Sequence, residues 1–313
     1  MVVVNNTECN NPLVSIIVVT YNSSNFVLEA LESAKDQSYK KVELIVTDDC
    51  STDNTLEICK KWIEQNEQRF VRVTLITSEK NTGIPANCNR GIKTCKGEWL
   101  IFIAGDDVLL ENCIHDNLSF VKENPNAKFI SSKVKNINEV GELLNTKRSL
   151  FDAFIKFYFN QSAIKQLKIY SRRPVFLNSP TFFIKRELIV AVDYFDEMFK
   201  IHEDMCLIYR VNGINEKVFF LDKNTVKYRI HENAISRNMK SSLETRRNEE
   251  KFLVFNKYRK KHLSILNLID LSIYYDTWLE LRYKGFFGLK GVRILKKLSL
   301  FYWYLIYLNI IKR

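Results

Sequence analysis

Glycine and proline are scarce in this 313-residue chain, at 9 and 5 residues, so regular helices and strands are expected over long loops. The seven cysteines form no CxxC pair and are odd in number. Reduced thiols in a cytosolic setting fit that pattern better than a disulfide framework or a thiolate zinc site. No GxGxxG follows the first apolar run, and no GxxxxGK[ST], GxSxG or HExxH occurs. A dinucleotide site, a P-loop, a nucleophile elbow and a zincin helix are therefore not expected. The N-terminus lacks a basic start followed by a long apolar stretch, so no secretory signal is expected. Residues 298–311 (LSLFYWYLIYLNII) are too short to cross a hydrocarbon core of about 30 Å at about 1.5 Å per residue.

What is present is globular in character, with 46% hydrophobic and 27% charged residues, which excludes a disordered or fibrous chain. The net charge of +11 is unevenly placed. Residues 1–239 hold 31 Lys/Arg and 30 Asp/Glu, whereas residues 240–313 hold 16 and 6. A near-neutral body with a basic tail points to an anionic surface as partner. Nucleic acid is not the expected one, because the basic face is short and no recognition fold accompanies it.

Apolar, β-branched runs at Val14–Thr20 (VSIIVVT), 42–47, 71–77 and Trp99–Ala104 read as buried parallel strands. Helical patterns fill the gaps at 26–37, with Val27, Leu28, Leu31 and Ala34 on one face, from Thr55 behind a cap at Ser51 or Asp53, and at 85–95. This alternation predicts an α/β fold with a doubly wound, mostly parallel, Rossmann-like sheet. Beyond residue 112 the pattern loosens: a helix at Cys113–Glu123, strands at 129–136, 181–184, 218–221 and 226–230, and a helix at 203–211. Aromatic-rich residues 151–159 are expected to pack inward, and residues 240–285 to be mainly helical. The charge break places a soft domain boundary near residue 240, with a catalytic domain at 1–239 and a basic helical extension at 240–313.

Ligands of open parallel sheets collect at the carboxyl ends of the strands. There the chain carries Thr20-Tyr21-Asn22, Asp48-Asp49 and Gly105-Asp106-Asp107. Two pairs of adjacent aspartates repel unless a cation or a donor-rich ligand sits between them, and a divalent metal carrying a diphosphate meets that need. A lone aspartate at such a place is more often a helix cap.

The run VSIIVVTYNSSNF, VELIVTDDCSTDNT, NTGIPANCNRGI and GEWLIFIAGDDVLL resembles the N-terminal half of GT-A fold, family 2 glycosyltransferases, over about residues 13–111, with looser features to about 235. The resemblance implies an inverting transferase that takes a sugar from a nucleoside diphosphate donor, most readily a UDP-sugar. It sets Thr20, Tyr21 and Asn22 against the nucleobase, Asp49 on the base, Asp106 at the ribose and Asp107 on Mn2+ or Mg2+. Three departures stand out. Cys50 replaces a common Gly, Asn87-Cys88-Asn89 replaces a common Ala-Arg-Asn, and Ala104 replaces a frequent further Asp. The missing arginine removes a donor-contacting cation and leaves Asn87 or Lys80 to substitute.

Relatives of this kind carry an acidic pair at a helix start after a phrase like FDE. Here Phe195-Asp196-Glu197 precedes His202-Glu203-Asp204. Asp204 is then the expected catalytic base and Glu203 its acceptor-side neighbour, since the attacking hydroxyl must lose a proton. First-turn acidity favoured by the helix dipole is the structural alternative. His231, in a Tyr228-Arg229-Ile230-His231 phrase, is the candidate third metal or phosphate contact, or else a structural hydrogen-bonder. Ser179, within residues 172–183, is the candidate acceptor-side residue. The expected acceptor is a lipid-linked saccharide in surface polysaccharide assembly, O-antigen or capsule, at the cytoplasmic face of the cell membrane. The basic tail would hold the protein there, its alternatives being packing on the core or in a homodimer. Two other functions use overlapping features. A nucleotidyltransferase would need the aspartates but not Asp204, and an inactive nucleotide-sugar-binding protein would explain the Cys88 departure.

Overall fold

The computed structural model describes residues 11–144, 149–175, 177–232, 234 and 241–263. The chain divides into two compact units, Met1–Ala163 with Phe176–Asn238, and Ile164–Val175 with Met239–Arg313. The first unit carries the sheet.

β1 (Val14–Thr20), β2 (Val42–Asp48) and β4 (Trp99–Ala104) are buried almost throughout, as strands covered on both faces must be. β3 (Arg72–Thr77) is half-exposed at the sheet edge. Helices α1 (Val27–Lys35), α2 (Thr55–Asn66) and α3 (Ile84–Thr94) make the crossovers. The buried face of α1 is Val27, Ala30, Leu31 and Ala34. Leu28, expected there, is half-exposed; Ala30 takes its place, three residues after Val27 and four before Ala34. The N-cap of α2 is Asn54, without a side-chain cap bond; Asp53, one residue before it, accepts the backbone N–H of Thr55 at 3.0 Å.

The chain continues through β5 (Val108–Leu109), α4 (Cys113–Glu123), β6 (Phe129–Ile137), α5 (Ser149–Phe159), α6 (Ala163–Arg172), β7 (Phe183–Lys185), α7 (Arg186–Ala191), α8 (Glu203–Gly213) and β8 (Phe219–Arg229). The eight strands run in the order β3-β2-β1-β4-β7-β6-β8-β5. Pairings β1–β2, β1–β4, β2–β3 and β6–β8 are parallel; β4–β7, β6–β7 and β5–β8 are antiparallel. The mostly parallel α/β sheet anticipated from the sequence is therefore present.

Three local expectations change. The two strands read at 218–221 and 226–230 are one strand, β8, whose register against β6 shifts twice near Lys133. The strand read at 181–184 begins at Phe183, after a single 3-10 turn over Ser179–Thr181. On α5, Ile155, Tyr158 and Phe159 are buried, as inward packing requires, while Phe157 is exposed.

In the second unit α9 (Ser241–Val254) is followed by short helical turns to His262. The remainder of the expected 240–285 helical region and residues 298–311 lie outside the described residues. Among those that are described, no helix is long and apolar enough to cross a membrane.

Candidate active site

Four loops meet at the carboxyl edge of the β2-β1-β4 sheet. Behind β1, Asn22 takes a positive φ of 50°, which Asn tolerates better than most residues. Its N–H donates to Ser51 Oγ at 2.8 Å, and its Oδ1 accepts from Thr52 N at 2.8 Å. Tyr21 beside it is 47% exposed, open to a stacking partner. Thr20 is buried; its hydroxyl donates to Asp48 Oδ2 at 2.9 Å, and its carbonyl accepts from Asp49 N at 3.0 Å.

The two aspartates behind β2 hold the protein itself together. Asp48 accepts from Thr20, from Ser51 N at 2.8 Å and from Ser51 Oγ at 2.5 Å, closing the tight turn. That turn forces Cys50 to φ 66°, a left-handed conformation that explains why glycine suits this position. Asp49 accepts from Thr82 N at 2.9 Å, Gly83 N at 2.6 Å, Thr82 Oγ1 at 2.7 Å, Ser78 Oγ at 3.2 Å and the Arg90 guanidinium at 2.7 Å. Burial works against the charged form, but these donors outweigh it and hold the carboxyl below the usual range. Both of its oxygens are thus engaged by the β3–α3 loop.

Arg90 was not singled out by sequence reasoning, which registered only the absence of arginine at position 88. Two residues further along α3, Arg90 supplies a guanidinium to Asp49, to Thr82 Oγ1 at 2.7 Å and to Asn87 Oδ1 at 2.9 Å. Asn87 faces inward, donating to the Thr20 carbonyl at 3.1 Å and accepting from Thr47 Oγ1 at 2.5 Å. Cys88 is buried, and burial, with Glu203 as the next cause, pushes its thiol up. It is an apolar packing group with no donor to offer a phosphate.

Behind β4 the chain turns through Gly105-Asp106-Asp107. A Cβ on Gly105 would stand 2.8 Å from the Ser23 side chain, so glycine is what lets this loop approach the one behind β1. Asp107 is buried and accepts from Arg229 N at 2.9 Å. Burial and the neighbouring Asp106 raise its carboxyl well above the usual carboxylate range. Asp106 is partly exposed, with Oδ2 2.9 Å from His231 Nε2. That hydrogen bond raises the imidazole pKa, against its partial burial, and the ring lies 5.0 Å from that of Phe26. Arg229, two residues before His231, is the hub. Its fully buried side chain donates to the carbonyls of Asp106 (2.8 Å), Asn138 (3.3 Å) and Glu139 (2.7 Å) and to Glu29 Oε2 (2.7 Å). The charge also lies 4.8 Å over the Phe26 ring.

Among the described residues, no three His, Cys, Asp or Glu side chains converge as a ready metal cage. Mg2+ or Mn2+ carried with phosphates needs only one or two protein carboxylates, however. Asp106 and Asp107 are hard oxygen donors of the right type, adjacent in one loop, and Asp106 is partly exposed. The donor set fits.

The Phe195–Glu197 segment is locked to α3 by Asn89, which donates to the Phe195 carbonyl and Glu197 Oε1 at 2.9 Å each and accepts from Phe195 N at 2.9 Å. This leads the chain into α8. There Glu203 is buried and Asp204 is half-buried, with Oδ1 accepting from Met205 N at 2.6 Å. Burial raises the Asp204 carboxyl to about 6, partly countered by that N–H and by His202. Such a carboxylate is poised to accept a proton near neutrality. Ser179 is half-buried in a turn packed against β4, β6 and β8, where the neighbouring Thr181 hydroxyl makes the structural bonds.

Comparisons with known proteins bear on the family and the fold. The profile described as glycosyl transferase family 2 matches residues 15–189, more than half of the chain. Glycosyltransferase GlyG of Streptococcus pneumoniae serotype 4 is 25% identical over 229 residues, covering 72% of this chain and 73% of that protein. The poly(ribitol-phosphate) beta-N-acetylglucosaminyltransferase TarS of Staphylococcus aureus is 27% identical over 216 residues, 66% of this chain but 35% of that protein's length. The structure of TarS 1-349 with UDP-GlcNAc shares the fold at a TM-score of 0.59 and 21% identity, covering 88% of this chain and 75% of that one. The mannosyltransferase PcManGT of Pyrobaculum calidifontis, with GDP-Man and Mn2+, does so at 0.60 and 16%, covering 91% and 74%. The sheet is that of GT-A glycosyltransferases, and the chain belongs to glycosyl transferase family 2.

Proposed function

We propose that this glycosyltransferase moves a sugar, with inversion, from a nucleoside diphosphate donor to an acceptor hydroxyl. The observation that carries the reading is the Asp106-Asp107 loop, fixed at the carboxyl edge of the sheet beside the loop that bears Tyr21 and Asn22. UDP is the proposed carrier, in keeping with the UDP-GlcNAc bound by TarS, and residues 1–239 form the catalytic domain. Tyr21 and Asn22 flank the base, with Thr20 beneath them. Asp49 serves the base end by fixing the Thr82–Gly83 loop, Asp106 meets the ribose, and His231 orients Asp106. Asp204 takes the acceptor proton, with Glu203 and Ser179 on the acceptor side. A divalent cation on Asp106 and Asp107 would stabilise charge on the departing diphosphate.

In isothermal titration calorimetry, UDP binding by the native protein is expected to strengthen with Mn2+ or Mg2+. Asp107→Ala should keep the metal-free affinity and lose that increment. Equal affinities with and without metal in both proteins would remove the metal from this reading.

The acceptor is proposed to be a lipid-linked saccharide of a surface polysaccharide, reached through the basic tail. Lys296 and Lys297 precede the aromatic run 298–311, and Lys312-Arg313 follow it. Cations near an anionic surface contribute about 1 kcal/mol each, and salt screens them. The full chain should co-sediment with phosphatidylglycerol vesicles at low salt, less so at high salt, and less again as the Lys296→Glu/Lys297→Glu variant. Sedimentation that ignores both salt and variant would make the tail a packing or dimer element.

A further inference from the structure

A cleft of about 420 Å³ lies along α3; it borders the Thr82 loop that Asp49 holds and includes Lys80, but Tyr21, Asn22, Asp106, Asp107 and Asp204 do not line it. Ala86, Asn89, Arg90 and Lys93 line it at helical spacing, while Asn87 turns inward to Thr20 and Thr47. Lys80 and Thr82 enter from the β3–α3 loop, and Glu197 and Lys200 from the segment that Asn89 locks to the helix. Its volume is that of a small-ligand site.

The charge in this cleft is one-sided. Four cations, Lys80, Arg90, Lys93 and Lys200, face one lining carboxylate, Glu197, which already accepts from Asn89. Arg90 is paired with Asp49, and Lys200 Nζ donates to the Thr82 carbonyl. Two observations remain unaccounted for by the fold. Lys80 and Lys93 are exposed and have no carboxylate partner among the described residues; Lys93 Nζ sits 5.3 Å from the Tyr194 ring. The Arg90 Nε–H is buried with no acceptor. Clustered like charges repel, so the two lysines without a carboxylate partner favour an oxyanion in the cleft, whereas the enclosed Arg90 Nε–H is out of its reach.

We propose that this cleft is an anion subsite that takes phosphate or carboxylate groups of an anionic saccharide, the lysines acting as point charges. This rests on the chain's place among glycosyltransferases and not on the role of Asp204. An occupant would touch Thr82, whose N–H and hydroxyl hold Asp49. Acceptor binding would in that way bear on the loop behind the donor site.

The test uses the full chain at about 0.15 M salt, where exposed long-range attraction is largely screened. Saturating UDP occupies the donor site, and tripolyphosphate and trigalacturonate are titrated separately by calorimetry. At least one should bind, and Lys93→Glu should weaken it by about tenfold or more while leaving UDP affinity unchanged. Lys296→Glu/Lys297→Glu, which alters the basic tail, should leave it as in the native protein. A response limited to tripolyphosphate assigns a phosphate-bearing ligand; one limited to trigalacturonate assigns a carboxylated one. Displacement of either probe by UDP, indifference to Lys93→Glu, or no binding of either probe would overturn the subsite.

Discussion

Asp204→Asn is expected to fold, bind UDP as the native protein does, and lose transfer by about 10²–10⁴-fold, the usual contribution of a positioned base. The amide keeps the shape and can still accept the Met205 N–H, so the start of α8 is retained. What is lost is the carboxylate proposed to take the acceptor proton. In the native protein kcat/KM should rise with pH through about 6, where burial places this carboxyl, and the variant's residual rate should lack that limb. The stability sign is opposite. Folding raises this pKa, so the protonated form is the one favoured in the folded state. Its stabilisation is complete below the unfolded carboxyl pKa and is lost as pH rises through about 6. Asp204→Asn, which cannot ionise, should therefore gain in urea midpoint relative to the native protein as pH increases from about 4 to 8. Near-native turnover in the variant would take Asp204 out of the mechanism.

The largest stability effect should come from Arg229→Met. Replacing the guanidinium by an apolar chain strips the donor from three backbone carbonyls and leaves Asp107 without the nearby positive charge. Glu29 itself is mostly exposed, so its ion pair adds little; the cost lies in the buried acceptors. A loss on the order of 3–5 kcal/mol is expected, the range for breaking a buried charged network. Arg229→Lys should recover only part of it, because one ammonium cannot span the same forked set of acceptors. Urea unfolding measures both. A midpoint in Arg229→Met equal to the native one would show that the acidic loop keeps its shape without the clamp.

The first half of the fold was legible because its strands are apolar runs closed by polar turns. Val14–Thr20, Trp99–Ala104 and Cys113–Glu123 begin and end where their residues say they should. Leu28 was misplaced because two registers of one amphipathic helix bury similar numbers of apolar residues, and only the sheet beneath selects between them. β8 read as two strands because Asp222, Lys223 and Asn224 interrupt its apolar pattern at the shift against β6, a tertiary matter. The site divides in the same way. Adjacent aspartates at strand ends were visible; that both Asp48 and Asp49 hold loops rather than stand open was not, since their donors lie as far away as Thr82 and Arg90. Arg90 had a signal in its place one turn after Asn87, on the helix that follows the Thr82–Gly83 loop. Arg229 had almost none, because an arginine behind an apolar strand looks like any solvated cation until Glu29 and the carbonyls around it are in place.

That clamp joins residues 200 positions apart, whereas Val14 pairs with Val42 and Glu43 with Arg72 across short βαβ units, and even β1 and β4 pair within the first 104 residues. Closing a long loop costs entropy that local pairings avoid, so contacts of high sequence separation form late. During synthesis the N-terminal strands can assemble as they leave the ribosome. The Asp106-Asp107 turn must wait for β8 to be made before Arg229 can draw it into shape. A nascent chain halted before that strand would carry the β1–β4 framework without a finished acidic loop.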